Sequence, residues 1–406
     1  MVSVTLSRPL TFGDLRRDVS FQAVFAGFLA MFVGLSGTLA ILFQAAGSAK
    51  LSAAQTGSWV LSVCFAIGIS GLALSWRYRA PIVTAFSTPG LALLAQDMAR
   101  FSYPEVIGAL LVTGIVVSVL GFSGLYAKLV ARIPAPIAAA TLAGILLPFG
   151  LNVFRALPQA PALVGAMVLA YLAGRRFAPR YAVPLALLAG LIVAATSGAF
   201  RGAELSGGLA LPVLTAPRFS VPAMLVLALP MTVLALASQN LPGLAVLRAS
   251  GYAGVPASPL VGVTGLASVL SAPFGAHTTT LAAITAAICA GPEAHPDPSR
   301  RYVAGLASAA SYLLAGLAGG VLAGAFALLP PPLLAALAGL ALTGSLLGSL
   351  ESALSAGPWR EAALITLLVT ASGLTFLGVG SAFWGIVIGG LSAWLLSFRT
   401  PSRRMP

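Results

Sequence analysis

Ala80-Pro81-Ile82-Val83-Thr84-Ala85-Phe86-Ser87-Thr88-Pro89-Gly90 opens one apolar run, and Ala272-Pro273-Phe274-Gly275-Ala276-His277-Thr278-Thr279-Thr280 opens another far downstream. Each begins with Ala-Pro, passes an aromatic or a glycine, reaches a hydroxyl cluster and continues as an Ala- and Leu-rich stretch. Proline lacks the donor N–H and clashes with the preceding turn, so Pro81, Pro89 and Gly90 disfavour an unbroken helix through the first stretch. Pro273 and Gly275 do the same in the second. Irregular backbone at membrane depth is tolerated only where protein or a cavity satisfies it. A simple kink is the plainer alternative, because Pro and Gly are common in membrane helices.

The surroundings are those of a membrane protein. The 406 residues include 22 Lys or Arg and 9 Asp or Glu, so 8% are charged and 59% hydrophobic. A soluble domain carries about 25% charged residues. This excludes a soluble enzyme, a DNA-binding protein and a disordered chain. The net charge of +13 is read as basic residues gathered in cytoplasmic loops, not as a nucleic-acid footprint. Cys64 and Cys289 lie in apolar runs and suggest neither a disulfide framework nor a metal site. HExxH, CxxC and Walker-type motifs are absent, so no cofactor or metal is expected.

Apolar runs of spanning length fall near 20–46, 54–75, 81–98, 104–125, 136–152, 159–173, 182–198, 219–241, 256–271, 273–290, 301–328, 333–354, 359–376 and 380–397. With the N-terminus inside, Lys50, Arg100, Arg155, Arg201 and Arg218 fall outside and the other 17 of the 22 basic residues inside. That asymmetry supports fourteen spans with both termini cytoplasmic. Fourteen divides as seven plus seven, and an odd repeat places its copies in opposite orientations, a recurring plan for transporters. The two quoted stretches then hold the third position of each half. Paired interruptions of this kind point to a binding site.

In this topology the two half-helices begin near the midplane with their N-termini facing one another. Free N–H groups and helix dipoles there make a site for an anion, with Ser87, Thr88, Thr278 and Thr279 available as caps. His277 is the sole histidine expected within a span, able to carry a proton or to pair with a carboxylate. A neutral histidine satisfied by a carbonyl is the alternative. Gln239 and Asn240 end the eighth span and either line the site or join helices. No carboxylate is placed at the midplane, which disfavours an acidic proton relay or a divalent-cation site. The loop Gly291–Arg301 holds acids beside Arg300 and Arg301, read either as an ion-pair latch or as a solvated turn.

Pro81 to Gly90, Ala237-Ser238-Gln239-Asn240-Leu241-Pro242-Gly243, Phe274-Gly275-Ala276-His277 and Leu281 to Arg301 together resemble the BenE-type benzoate/proton symporters. Glu361-Ala-Ala-Leu-Ile-Thr and Gly380-Ser-Ala-Phe-Trp-Gly carry the same resemblance near the C-terminus. It covers nearly the whole chain. It implies the architecture of the nucleobase and sulfate transporters: an all-α integral membrane protein with a 7+7 inverted repeat. Spans three and ten are then discontinuous, each a short extended strand plus a half-helix. It implies a core domain (20–125 with 213–328), a gate domain (126–200 with 329–398), a cytoplasmic arm at 1–19 and a tail at 399–406. Nucleobase relatives place acidic residues in spans eight and ten. Here Ser238, Gln239 and Asn240, then Ala276 and His277, stand at the matching stretches, which suits an anionic substrate.

The expected function is proton-coupled uptake of benzoate or a related aromatic carboxylate across the inner membrane. Phe86, Ser87, Thr88, Gly90, Gln239, Asn240, Phe274, Gly275, His277, Thr278 and Thr279 form the expected site, with His277 the proton carrier. Phe86 and Phe274 would contact the ring. The expected partners are the substrate, H+ and the lipid bilayer, not nucleic acid, with a homodimer an admissible assembly. Transport of another small anion or a nucleobase-like substrate on the same fold, or an anion channel, are the rivals.

Overall fold

Uninterrupted apolar runs with few charges become helices here, because in lipid the helix satisfies every backbone group internally. The structure, a computed structural model, describes residues 10–126, 128, 134–199, 208–292, 294–355, 357–376 and 380–397. Arg8, Arg132, Arg201, Glu204, Glu293, Arg399, Arg403, Arg404 and the tail 399–406 lie outside the described residues.

The order is α1 (Phe12–Asp18), α2 (Phe21–Ser48), α3 (Ala53–Tyr78), β1 (Thr84–Phe86), α4 (Thr88–Asp97), α5 (Tyr103–Phe122), α6 (Ala135–Ala156), α7 (Pro161–Phe177) and α8 (Ala182–Thr196). It continues with α9 (Val221–Ala249), α10 (Ala257–Ser271), β2 (Thr279–Leu281), α11 (Ile284–Ala290), α12 (Tyr302–Leu317), α13 (Gly319–Ala327), α14 (Pro331–Ala353), α15 (Arg360–Ala371) and α16 (Ser381–Ser397). By length and composition, α2, α3, α5, α6, α9 and α14, and α10 together with the turn that carries it to Phe274, are each able to cross a membrane, and α12 with α13 forms a pair bent by 65°. Phe21, Phe25, Phe28 and Phe32 run at helical spacing down an exposed face of α2. In water such a stripe would be an aggregation site; against acyl chains it is solvated. The chain is a multi-pass membrane protein.

Packing has an internal correspondence. α5 lies along α10, and α12 lies along α3. α7 pairs with α8, and α15 pairs with α16. α6 packs on α14, and β1 on β2. The extended segment at 208–220 joins the halves and is tied down: Thr215 N donates to Pro273 O and Arg218 N to Pro104 O.

One polar cluster holds the N-terminal arm. Thr11 and Asp14 cap α1 reciprocally. Asp18 is 4% exposed, accepts from the Tyr302 hydroxyl at 3.1 Å, and lies 3.3 Å from Arg17, 3.6 Å from Arg300 and 3.9 Å from Arg79. The Gly291–Arg301 loop therefore does form ion pairs, through Arg300 to Asp18 and Asp297. Arg301 takes a different role: its guanidinium donates to the carbonyls of Ala290, His295 and Pro296. The Ser299 hydroxyl and backbone N–H hold the Asp297 carboxyl below its usual range.

Candidate functional site

β1 and β2 pair antiparallel with Thr84 opposite Leu281, Ala85 opposite Thr280 and Phe86 opposite Thr279. Ser87 N to Thr278 O and Ala282 N to Val83 O extend the ladder. Two interrupted stretches thus satisfy each other's backbone where neither has a helix to do so. Because the strands are antiparallel, α4 and α11 leave from opposite ends, each with its N-terminus at the strand pair.

The two stretches differ from expectation in where the helix resumes. Ser87 caps α4, its Oγ accepting from Gly90 N at 3.2 Å, and Pro89 sits in the first turn where its missing N–H costs nothing. Pro273, by contrast, does not break the backbone; a tight turn at Ala272–Phe274 continues α10 past it. The break comes at Gly275, with φ +98°, wedged beside Tyr103 and Trp59. Thr278 and Thr279 do not cap a helix, for α11 starts only at Ile284 behind Ala283, which makes no side-chain cap.

His277 is fully buried. Trp59 Nε1 donates to its Nδ1 at 3.1 Å, and the Phe86 ring stacks on it with centroids 5.9 Å apart and 6° between planes. An indole N–H only donates, so Nδ1 accepts and the neutral ring carries its proton on Nε2. That Nε2 has no partner. On its other side Phe86 meets Tyr312 edge-on at 5.7 Å. The hydroxyls of Tyr312, Thr278, Thr279 and Thr280 are buried and likewise unpartnered.

α9 is distorted by its prolines. Pro242 removes the N–H that would bond the Ser238 carbonyl, and Leu234–Asn240 winds as a wider π-turn. Gln239 and Asn240, being consecutive on the helix, point in different directions. Gln239 lines a cavity, while Asn240 turns inward and its Oδ1 accepts from Leu281 N at 2.9 Å. Gln239 thus faces the cavity, and Asn240 ties α9 to the strand β2 and not to another helix.

That cavity measures about 860 Å³, within the range of ligand pockets. Phe86, Thr88 and Gln239 of the expected residues line it. Ser87, Gly90, Asn240, Phe274, Gly275, His277, Thr278 and Thr279 stand outside its lining. Phe274 points its carbonyl at the hydroxyls of Ser58 and Ser62. His277 sits behind Phe86, which forms the wall. Sequence reasoning missed Thr38, Thr285 and Arg175 in the lining, and Trp59 and Tyr312 behind it. A lone tryptophan, tyrosine or threonine in an apolar helix carries no spacing signal. Arg175 was absorbed by the charge-orientation reading.

The fold is that of a membrane transporter. It superposes on the transmembrane domain of a cyanobacterium bicarbonate transporter, BicA, with a TM-score of 0.59 at 15% identity, covering 97% of this chain and 100% of that one. It is also similar to SLC26A9, with a TM-score of 0.59 at 14% identity over 94% of this chain and 66% of that one. The family follows from sequence: residues 17–395 match the model for BenE, benzoate membrane transport protein, and the chain belongs to that family. It is 41% identical to the benzoate membrane transport protein of Acinetobacter baylyi over 94% of this chain and 97% of that one. It is 44% identical to inner membrane protein YdcO of Escherichia coli over 90% of this chain and 93% of that one.

Proposed function

We propose that the protein takes up benzoate or a related aromatic carboxylate together with a proton across the inner membrane. The observation that carries this reading is the cavity beside the strand pair. Its walls are mainly small and aliphatic, with ten alanines and the Phe86 ring, its polar groups are mainly Ser, Thr and Tyr hydroxyls with the Gln239 amide, and no carboxylate lines it among the described residues. Such a lining suits an aromatic ring with a negative end. The names of the two sequence relatives support the substrate class and the membrane.

In this reading the chain crosses fourteen times with both termini cytoplasmic, and β1–α4 and β2–α11 are the broken third and tenth spans. The mirrored packing of the two halves supports it. The cavity draws one wall from the core (Gly34, Phe86, Thr285) and the other from the gate (Ala138, Leu142, Ser345), so motion of core against gate would open it alternately. The carboxylate sits at the N-terminus of α4, beside Thr88, with the ring on Phe86. Ser87, Gly90, Phe274, Gly275, Asn240, Thr278 and Thr279 shape that wall from behind. Moving one charge costs about 2.3 kcal/mol per 100 mV, which a co-transported proton removes.

His277 carries that proton. Its Nδ1 is occupied by Trp59, so protonation requires the indole to swing away. Movement of Trp59 and Phe86 thereby couples proton uptake to the cavity wall. The test is radiolabelled benzoate uptake into proteoliposomes with and without an inward proton gradient. Gradient-driven accumulation is expected; its absence overturns symport. His277→Ala should lose accumulation yet keep benzoate exchange, and full coupling in that variant would remove His277 from the proton role.

A further inference from the structure

Resting on the transport reading above, we propose that Arg175 recruits the carboxylate at the mouth of the cavity. The mouth is built from element ends: Arg175 in the last turn of α7, Pro179 after it, Ala182 opening α8, Ala135 opening α6 and Ser352 near the end of α14. Among the described residues of the lining, Arg175 is the one charged side chain. It is exposed, and no described carboxylate pairs with it. The neighbouring Arg176 is held elsewhere, over the Phe177 ring at 5.6 Å, and does not line the cavity.

An unpaired guanidinium at the entrance of a low-dielectric cleft focuses its field along the cleft and raises the local concentration of anions. Its fork also matches a carboxylate. Position matters as much as charge. At the α4 end of the cavity a guanidinium would hold benzoate too tightly to release it. At the mouth it receives the anion that Thr88 and Phe86 release during uptake, and in exchange it gathers cytoplasmic anion and passes it inward to them. Because the ends that form the mouth lie on the face read as cytoplasmic, the effect belongs to that face.

The experiment has two arms. In the first, equilibrium exchange of radiolabelled benzoate is measured in proteoliposomes at low and high salt. Arg175→Gln should raise the KM about tenfold and abolish its dependence on ionic strength, Arg175→Lys should keep that dependence, and Arg176→Gln should match the native protein. In the second, Ser352→Cys is labelled with an anionic or a cationic methanethiosulfonate; the native Cys64 and Cys289 are buried. The anionic reagent should react faster, and adding Arg175→Gln should erase that preference. An unchanged KM and salt dependence in Arg175→Gln, or an unchanged labelling ratio, overturns the proposal. If the native protein exchanges no benzoate, the transport reading fails, while the labelling ratio still decides the role of Arg175.

Discussion

The two interrupted stretches share a sequence pattern and differ in how completely their polar groups are satisfied. In β1–α4, Thr84 donates to the Ile67 carbonyl and accepts from Ser70, while Ser87 caps the helix. Leu91 to Leu94 are fully buried behind it. In β2–α11, three successive threonine hydroxyls and His277 Nε2 have no partner, and the helix that follows has seven residues and no side-chain cap. One arm is a finished scaffold. The other leaves its threonine hydroxyls and His277 Nε2 without a protein partner.

Substitutions can break that contrast, and the largest effect is expected where the arms meet. Phe86→Ala removes a ring packed between His277 and Tyr312 and should destabilise the protein by about 3–5 kcal/mol, read as a lowered melting temperature in detergent. A small change there would mean that the rings do not hold the arms together. Asn240→Ala strands the buried Leu281 N–H and should cost about 1–3 kcal/mol, with faster hydrogen exchange at that amide. Ser87→Ala loses the α4 cap, for about 1 kcal/mol. Thr279→Val replaces an orphaned hydroxyl by a methyl and should change stability by less than about 0.5 kcal/mol. If Thr279→Val proves as damaging as Ser87→Ala in the same melting assay, the second arm is as fully satisfied as the first and the contrast fails.

The legible part of this molecule follows from solvent physics. Scarce charge and long apolar runs identify a membrane protein, and the charge-free runs coincide closely with α2, α3, α5, α6 and α14. Pro89 behind Ser87 announces the start of α4 because both residues favour the first turn. Pro273 misleads for the converse reason. Proline fixes one dihedral angle and removes one donor, and the end of a helix tolerates both, so the turn at Ala272–Phe274 runs on to Gly275. Where α11 resumes depends on strand pairing with a segment in the other half, which no local pattern encodes. The roles of Gln239 and Asn240 were equally hidden, since which of two consecutive residues faces the cavity depends on how the whole helix is turned against its neighbours. The burial of Asp18 has no local signal either, because it depends on Arg79 at the end of α3 and on Arg300 and Tyr302 at the start of α12.

The strand pair also has a consequence for how the protein is made. Thr84 to Phe86 emerge with the first half, yet their hydrogen-bonding partners, Thr279 to Leu281, belong to the second. Until the ribosome has delivered those residues, the N–H and C=O groups of β1 have no strand to meet, and in lipid each such group costs several kcal/mol. On the proposed fourteen-span reading, the first half would complete its ladder only once the tenth segment is inserted, with β1 kept near water or another protein until then.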